Sequence, residues 1–578
     1  MEDCKFSNWK RCPHELFYIA AVASLVFQLL HLRYDLLLHF DKDLGLFSYT
    51  ARSLVDALLM LLPYWLLPSK WRTGYVGIAV FLFSFWGLSQ LWYYRTYEDL
   101  MPFSSFLLFD NVSPLLLDGI KASMRLRDVL FVMPPILLFS LYRLFLMDRI
   151  RKVPVVSRQR ITYLAGILSF TLFIHATNAY SFYRREHDRT AKHFLSRYVN
   201  AINSISYFDF NGFVPFCINS FVSTIIEKQS LDAKEKAEIE LFLRKYMPEY
   251  TDDRYAVKER KNLILIVVES LNSWLINFEI EGMEVTPHLN QLCREDSSIV
   301  ALHVQPQVKN GRSSDAHFMY NTGLLPINNG AVAVRFGEAG YPSLAKALKG
   351  YEAFSMVCDN AKYWNQNIAF SSYGFTRLYD CHSVKGSSGN LNDHTLFKEA
   401  ASRIEGTGSP FYAQLITLNM HYPYDKLEVP PTDISKSKLY TPNIRNFLET
   451  AHYCDNAIGE FIKVLKETGI YEKSLIAIIS DHNEIDKNQI ENREKSSPED
   501  KEIAMIVLNG SRKLDYVHPV EQIDIYPTLL DLMGANDYLW KGLGHSIFRK
   551  DSIALFPSEE KRSYVSDLMI TKGYFKLK

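Results

Sequence analysis

The chain has 578 residues, more than one ordinary domain holds, so at least two folding units are expected. Its 64 basic and 64 acidic residues give a formal net charge of zero, which excludes the basic excess of a nucleic-acid-binding surface. The seven cysteines form no CxxC pair, which argues against a zinc ribbon or a dense disulfide framework. Free buried thiols are expected, with a disulfide between Cys358 and Cys381 as the alternative.

Five apolar stretches occupy the first third of the chain, each with about the twenty residues that a helix needs to cross a bilayer. No small-residue cleavage site follows the first stretch, so a lasting anchor is expected rather than a removed signal. The sequence therefore predicts an N-terminal five-helix transmembrane bundle within residues 1–180. The stretches run near residues 16–33, 47–67, 75–94, 128–147 and 162–178.

Lysine and arginine in the short loops predict the orientation. The N-terminal tail carries Lys5, Lys10 and Arg11, and the loop 148–160 carries five basic residues. Because basic short loops stay on the cytoplasmic side, the tail and the even-numbered loops are predicted to be cytoplasmic. Five crossings then place the chain after about residue 180 outside the cytoplasm. The predicted location is multi-pass, in the inner (cytoplasmic) membrane of a bacterium.

The second stretch contains Arg52 and Asp56, four residues apart and therefore on one helix face. Charges at this depth usually face the interior of a helix bundle or a wet cavity. Alternatively, the Arg52 side chain extends to the membrane interface. The sequence is compatible with both positions of the Arg52 side chain.

Residues 181–258 are predicted to form a helical connector, in which Asp232 caps a helix through AKEKAEIELFLRKYM. From residue 259 to 578, short apolar runs alternate with segments of helical length. This alternation predicts an α/β domain with a mostly parallel sheet covered on both faces. The runs are NLILIVVE (262–269), FSMVC (354–358), FYAQLITL (411–418), SLIAIIS (474–480) and IAMIVLN (503–509).

Polar residues follow three of these runs, and ligand sites of parallel sheets lie outside the carboxyl ends of the strands. Glu269 follows the first run, His421 the third, and Asp481-His482 the fourth. The polar loop NGRSSDAH (310–317) lies between the first two runs. Two carboxylates, an imidazole and a hydroxyl loop indicate one divalent cation beside a nucleophile. Each of these groups alone is weak evidence for a metal site, because such side chains often cap helices. Ser314 or Asp315 could also serve as a helix cap.

From about residue 261 to 548, the chain resembles the extracellular catalytic domain of lipoteichoic acid synthases and related transferases of the sulfatase (alkaline phosphatase) superfamily. Five spans before such a domain also agree with that family. The matching segments include NLILIVVESLN, VTPHLNQL, GRSSDAHFMYNTGLLP, YWNQNIAFSSYGF, PFYAQLITLNMHYPY, SLIAIISDH and VEQIDIYPTLLDLMG.

The resemblance implies that Glu269, Asp481 and His482 ligate one divalent metal ion, with manganese expected first and magnesium or zinc as alternatives. Ser313 falls where the family has its nucleophilic threonine, and its hydroxyl would also ligate the metal. His421 matches a histidine that contacts the substrate phosphoryl group and would donate a hydrogen bond or a proton.

The resemblance also implies that Trp364 and Asn360 line the pocket for the substrate headgroup. The chain departs from the family pattern at positions that help hold a glycerol phosphate. Val357-Cys358 stands where a histidine is usual, and Gln366 stands in place of an arginine. After Asp-His, Glu484 belongs to an unusual segment that could alter access to the metal.

The reaction implied is metal-dependent transfer of a phosphoglycerol or phosphoethanolamine headgroup from a membrane phospholipid donor. It would pass through a covalent phosphoserine-type intermediate to a glycan or lipid acceptor of the cell envelope. One alternative is a membrane-bound phosphodiesterase or a sulfuric-ester hydrolase of the same fold. True sulfatases need Cys/Ser-x-Pro-x-Arg, which residues 313–317 lack. A non-catalytic sensor that keeps the fold is the remaining alternative.

Overall fold

In the computed structural model the chain forms two compact units, which meet in sequence at Ile225 and Ile226. The described parts of the predicted connector fall in both units, residues 204–225 in the first and 231–257 in the second. The residues described are 13–37, 46–97, 100–103, 105, 120–121, 123–152, 157–185, 204–226, 231–247, 250–257, 262–385, 387, 389–408, 410–424, 429–493, 496–549 and 556–575. The tail residues Lys5, Lys10 and Arg11, used to predict the orientation, lie outside them.

The first unit is helical, as its apolar composition predicts. Its helices are α1 (Pro13–Leu37), α2 (Leu46–Met60), α3 (Pro63–Leu66), α4 (Ser69–Tyr97), α5 (Val129–Leu141), α6 (Met147–Lys152), α7 (Ser157–Arg185), α8 (Ser204–Asn211) and α9 (Phe213–Ile226).

Four helical segments among the described residues are long and apolar enough to cross a membrane: Pro13–Leu36, Ser69–Arg95, Leu126–Leu146 and Arg158–Thr177. They coincide with four of the five predicted stretches. In the remaining stretch the helix is interrupted before Pro63, because proline has no backbone N–H to continue the ladder. The 15 residues of α2 span only about 22 Å, less than a ~30 Å hydrocarbon core. A fifth span therefore stays a prediction.

Four charged side chains meet inside the first unit. Arg33 of α1 and Asp56 of α2 are each 1% exposed, with 3.8 Å between the guanidinium and the carboxylate. Asp209 of α8 lies 3.2 Å from Arg33 and 3.6 Å from Arg52. Asp56 also accepts hydrogen bonds from two backbone amides at the start of α9. Arg52 and Asp56 thus face the interior, because buried charges persist only with partners.

The second unit contains one sheet of nine strands. Their order is β10-β4-β9-β8-β1-β7-β5-β6, and β11 also pairs with β4. All pairings are parallel except those of β9 with β4 and β8, so the sheet is mixed but mostly parallel, as predicted. The strands are β1 (Asn262–Val268), β4 (Ile299–Gln305), β5 (Glu352–Val357), β6 (Arg377–Tyr379), β7 (Phe411–Ile416), β8 (Ser474–Ser480), β9 (Ile503–Leu508), β10 (Leu514–Tyr516) and β11 (Val520–Glu521); β2 (Glu279–Ile280) and β3 (Met283–Glu284) form a separate pair.

Helices cover both faces of this sheet, and two apolar cores fill the space between the layers. The central strands β1, β8 and β9 are buried along their whole length. The helices are α10 (Ala233–Tyr246), α11 (Pro287–Cys293), α12 (Ser313–Thr322), α13 (Val332–Phe336), α14 (Leu344–Ala347), α15 (Gln366–Tyr373), α16 (Asp393–Glu405), α17 (Pro442–Glu467), α18 (Lys487–Ile490), α19 (Ile525–Met533) and α20 (Glu559–Thr571).

Two local predictions are confirmed here. Asp232 caps α10 by accepting a hydrogen bond from the amide of Glu235 at 2.7 Å. The cysteines Cys358 and Cys381 carry free thiols, as do Cys217, Cys293 and Cys454.

The C-terminal end of α12 is held by a close backbone crossing. Gly323 ends this helix at a φ of 64°. A Cβ atom on Gly323 would lie 2.7 Å from the Cα of Gly542, and a Cβ on Gly542 would lie 3.0 Å from the Cα of Gly323. Both positions therefore require glycine, which fixes the helix end against the segment that precedes His545.

Candidate metal centre and nucleophile

The candidate site lies at the carboxyl edge of the sheet, where β1 runs between β7 and β8. Glu269 follows β1, and Asp481 and His482 follow β8. The chain turns sharply after β1, because Ser270 has a φ of 55° in the left-handed region. Its amide donates to Asp481 Oδ1 at 2.8 Å, and its hydroxyl donates to Glu269 Oε1 at 2.6 Å. Ser270 thereby holds both carboxylates at one point.

The three predicted ligands converge. His482 Nε2 lies 3.5 Å from Glu269 Oε1 and 3.6 Å from Asp481 Oδ2. One ligand atom from each residue lies within 4.8 Å of the other two. All three side chains are buried, with exposed fractions of 5%, 1% and 4% for Glu269, Asp481 and His482.

The hydrogen bonds of His482 assign its tautomer. Its Nδ1 lies 3.0 Å from the carbonyl oxygen of Asn483, which can only accept, so Nδ1 carries the proton. Nε2 then presents a lone pair to the two carboxylates. Three buried acceptor groups facing one another repel unless a cation lies between them, and carboxylate oxygen with imidazole nitrogen suits manganese, magnesium or zinc. The residues therefore fit a divalent cation.

Burial shapes the protonation of this group. It raises the pKa of Glu269 well above its usual range, and the nearby charge of Asp481 adds to the effect. Burial, followed by the positive charge of Arg312, lowers the pKa of His482 to about 4. The imidazole is therefore neutral at physiological pH, the form in which histidine binds metals.

Ser313 is placed beside the candidate ligands at the start of α12. Its Oγ lies 3.3 Å from His482 Nε2 and 3.4 Å from Glu269 Oε2. The next hydroxyl, on Ser314, is buried. The prediction had left open whether the serines of this loop only cap the helix; the structure brings Ser313 to the ligand group instead.

Asp315 holds the loop that precedes Ser313. Its Oδ2 accepts hydrogen bonds from the amides of Lys309 at 2.8 Å and Gly311 at 2.9 Å. The approach is so close that a Cβ on Gly311 would lie 2.1 Å from Asp315 Oδ1. The buried carboxylate thus takes the place of a helix cap and fixes the backbone path into Ser313.

Arg312 was not assigned a role from the sequence, yet it directly precedes the candidate nucleophile Ser313. It has a φ of 45°, a strained conformation for a residue with a side chain. Its Nη2 donates to Glu484 Oε2 at 2.9 Å and lies 3.3 Å from His482 Nδ1. Glu484 therefore forms an ion pair with Arg312, whose guanidinium also lies beside His482. In the sequence, a basic residue directly before Ser313 was the feature that could have indicated a role for Arg312.

The other predicted site residues follow strands on one side of β1 in the same sheet. His421 follows β7, and its Nδ1 lies 2.7 Å from the carbonyl oxygen of Tyr422. Burial lowers the pKa of His421, which favours the neutral ring. Asn360 and Trp364 follow β5, two strands away from β1.

His317 was quoted only as the end of the polar loop, but it lies one turn after Ser313 on α12. Its side chain is 4% exposed, and neither ring nitrogen has a hydrogen-bond partner among the described residues. Burial lowers its pKa to about 4, and the charge of Asp481 opposes that shift. The ring contacts Phe370 of α15 edge-on, with 5.8 Å between the centroids.

Two family models match successive parts of the chain. The model described as lipoteichoic acid synthase N-terminal domain matches residues 2–216, and the model described as sulfatase matches residues 261–535. Lipoteichoic acid synthase 1 of Bacillus subtilis (strain 168) is 25% identical over 494 residues, covering 82% of this chain and 75% of that protein. Lipoteichoic acid synthase of Staphylococcus aureus (strain USA300) is 26% identical over 564 residues, covering 91% and 84%.

Among solved structures, the chain is similar to the integral membrane protein lipooligosaccharide phosphoethanolamine transferase A from Neisseria meningitidis. The TM-score is 0.51 at 15% identity, with 90% of this chain and 95% of that chain covered. At this identity the likeness shows the fold alone. The family models and the relatives confirm the resemblance drawn from the motifs.

Proposed function

Because the chain belongs to the lipoteichoic acid synthase-like group of the sulfatase superfamily, we propose that it transfers a phosphoglycerol or phosphoethanolamine headgroup from a membrane phospholipid. The four apolar helices of the first unit support a membrane enzyme. In this proposal the bundle has five spans, residues 1–180 anchor the chain, and residues 259–578 act outside the cytoplasm. The acceptor is a hydroxyl of a cell-envelope glycan or lipid.

One observation carries the proposal: a half-buried serine hydroxyl lies beside the group of buried ligands. Ser313 Oγ is 3.3 Å from His482 Nε2 and 3.4 Å from Glu269 Oε2. It also sits at the first turn of α12, a ten-residue helix, where backbone N–H groups favour the charge of a phosphoryl group. A sensor that only kept the fold would not need this arrangement.

In the first displacement, Ser313 Oγ attacks phosphorus and the bond from phosphorus to the glycerol oxygen of diacylglycerol breaks. The Ser313 proton leaves along the hydrogen bond toward Glu269 Oε2. Since Nδ1 of His421 donates to Tyr422, Nε2 is the atom that exchanges protons with substrate, and protonated His421 donates from Nε2 to the departing oxygen. The negative charge of the phosphoryl group favours that protonated ring.

In the second displacement, the acceptor hydroxyl attacks phosphorus and the bond from phosphorus to Ser313 Oγ breaks. His421 Nε2 takes the proton of the acceptor hydroxyl, and Ser313 regains its own proton. Both catalytic groups thus return to their starting forms after one headgroup has moved. Arg312 is placed to balance charge on the phosphoryl oxygens.

Glu269, Asp481, His482 and Ser313 would hold the divalent cation. When bound, such a cation stabilises negative charge on phosphoryl oxygens and lowers the pKa of a coordinated hydroxyl. Trp364 and Asn360, at the end of β5, would line the space for the headgroup.

The test uses the full chain, purified in detergent, with phospholipids that carry a fluorescent acyl chain. We expect manganese-dependent release of fluorescent diacylglycerol from a mixture of phosphatidylglycerol and phosphatidylethanolamine. Ser313→Ala should abolish release, whereas Ser314→Ala, the adjacent hydroxyl, should retain it. Release that survives Ser313→Ala would refute the assigned nucleophile, and no release with any divalent metal would refute the phospholipid donor.

A further inference from the structure

A carboxylate without a cationic partner lies at the end of β5. Asp359 is half-buried, and its Oδ1 accepts a hydrogen bond from Gln366 Nε2 at 3.4 Å. Among the described residues, no lysine or arginine forms an ion pair with Asp359 or appears among the groups that shift its pKa. The charge that acts on it is that of another carboxylate, Asp380. The local field is therefore negative.

Gln366 adds an unsatisfied acceptor at the same place. Its side chain is 6% exposed, and its Oε1 has no hydrogen-bond partner among the residues that the structure describes. Because Nε2 of the same amide donates to Asp359, the amide oxygen is left as an unpaired acceptor near the carboxylate. A buried acceptor left unpaired costs about 1–3 kcal/mol, so it is expected to meet a donor when the site is filled.

Two neighbouring helices connect this pair to the candidate nucleophile. Ser313 and His317 are one turn apart at the start of α12, and Gln366 and Phe370 are one turn apart at the start of α15. The rings of His317 and Phe370 are in contact, with 5.8 Å between the centroids. Both helices begin at the carboxyl edge of the sheet, so their first turns lie about one helical turn, ~5.4 Å, nearer that edge. Ser313 and Gln366 therefore both lie on the side of this ring contact that faces the carboxyl edge of the sheet.

An ammonium group matches this pair better than hydroxyl groups do. It carries a positive charge and three N–H donors and has no acceptor of its own. A glycerol hydroxyl carries no charge and has one O–H donor, so it gains less from the negative field of Asp359. Trp364, two residues before Gln366, supplies an aromatic side chain of the kind that attracts cations.

We infer that Asp359 and Gln366 form a subsite for the ammonium group of an ethanolamine headgroup, so that the preferred donor is phosphatidylethanolamine rather than phosphatidylglycerol. This inference rests on the proposed function. In this arrangement the phosphoryl group is at Ser313, and the headgroup extends toward the end of β5. Gln366 then favours the ethanolamine headgroup because its side chain is neutral. An arginine at this position would neutralise Asp359 and repel the ammonium group.

The experiment measures diacylglycerol release by the full chain from each lipid separately, in detergent and with manganese. We expect release from phosphatidylethanolamine to be at least about tenfold faster, since a charge-assisted hydrogen bond is worth about 1.5–3 kcal/mol. Equal rates, or a preference for phosphatidylglycerol, would overturn the ammonium subsite and leave the transferase proposal standing. No release from either lipid would overturn both.

Variants assign the preference to the two residues. Asp359→Asn keeps the shape and removes the charge, and should cost about 10- to 100-fold with phosphatidylethanolamine but little with phosphatidylglycerol. Gln366→Arg should reverse the preference. Asp433→Asn, which removes an exposed carboxylate elsewhere, is the matched control and should change neither rate. Uniform losses on both lipids with Asp359→Asn would refute the assignment.

A measurement on the unmodified chain covers the case in which a variant fails to fold. O-phosphoethanolamine should raise the unfolding temperature at concentrations at least about tenfold lower than glycerol 3-phosphate does. Protection by glycerol 3-phosphate at equal or lower concentrations would contradict the inference.

Discussion

Replacing Asp315 with alanine should disable the loop that carries the nucleophile. The carboxylate is fully buried, and its Oδ2 accepts from the amides of Lys309 and Gly311 at 2.8 and 2.9 Å. Asp315→Ala leaves two buried N–H groups without a partner, at about 1–3 kcal/mol each. The expected loss is therefore about 2–6 kcal/mol, taken either from the free energy of unfolding or from the ordered position of Ser313.

Two measurements on the detergent-solubilised chain separate these outcomes. If the second unit bears the loss, its unfolding temperature should fall by roughly 5–20 °C. If the loop rearranges instead, the unfolding temperature holds and diacylglycerol release falls at least about 100-fold. Asp315→Asn keeps one acceptor oxygen and should be intermediate, and Ser314→Ala is the matched neighbour. Wild-type stability together with wild-type release in Asp315→Ala would refute the reasoning.

Three further outcomes follow from the described contacts. Asp56→Ala leaves Arg33 with one carboxylate partner fewer and two amides of α9 unpaired. The free energy of unfolding, measured by thermal unfolding in detergent, should therefore fall by about 3–5 kcal/mol. A decrease under about 1 kcal/mol would contradict this prediction. Removing divalent cations with EDTA should abolish diacylglycerol release and lower the unfolding temperature, and manganese should restore both; release that persists after exhaustive chelation contradicts it. Burial raises the pKa of Asp359 to about 7, so its ionised fraction rises from about 10% at pH 6 to about 90% at pH 8. The concentration of O-phosphoethanolamine needed to raise the unfolding temperature should therefore fall about ninefold from pH 6 to pH 8. Asp359→Asn should remove this dependence on pH.

The core of the site was predictable because parallel strands end at one edge. Glu269 and Asp481-His482 follow two strands that pair directly, in register from Asn262 with Ser474 to Val268 with Ser480. Residues that come one position after such strands have to meet. Identifying the strands from their apolar runs was therefore enough to bring the ligands together.

What the sequence did not reveal depends on contacts between distant segments. The pair of Arg312 and Glu484 joins residues 172 positions apart, and neither local pattern requires it. β4 was not predicted, because its C-terminal half alternates between buried and more exposed residues and its register with β9 is irregular between Ala301 and Val304. In the second apolar stretch, hydropathy alone did not predict that the helix is interrupted before Pro63.

The helix that carries Ser313 is held at both ends, and this has a consequence for genetics. Its far end depends on the crossing of Gly323 and Gly542, where neither residue tolerates a side chain. A screen for loss-of-function alleles should therefore recover substitutions at Gly542 together with those at Ser313. The first kind would resemble active-site alleles in phenotype, although the codon lies more than two hundred positions downstream.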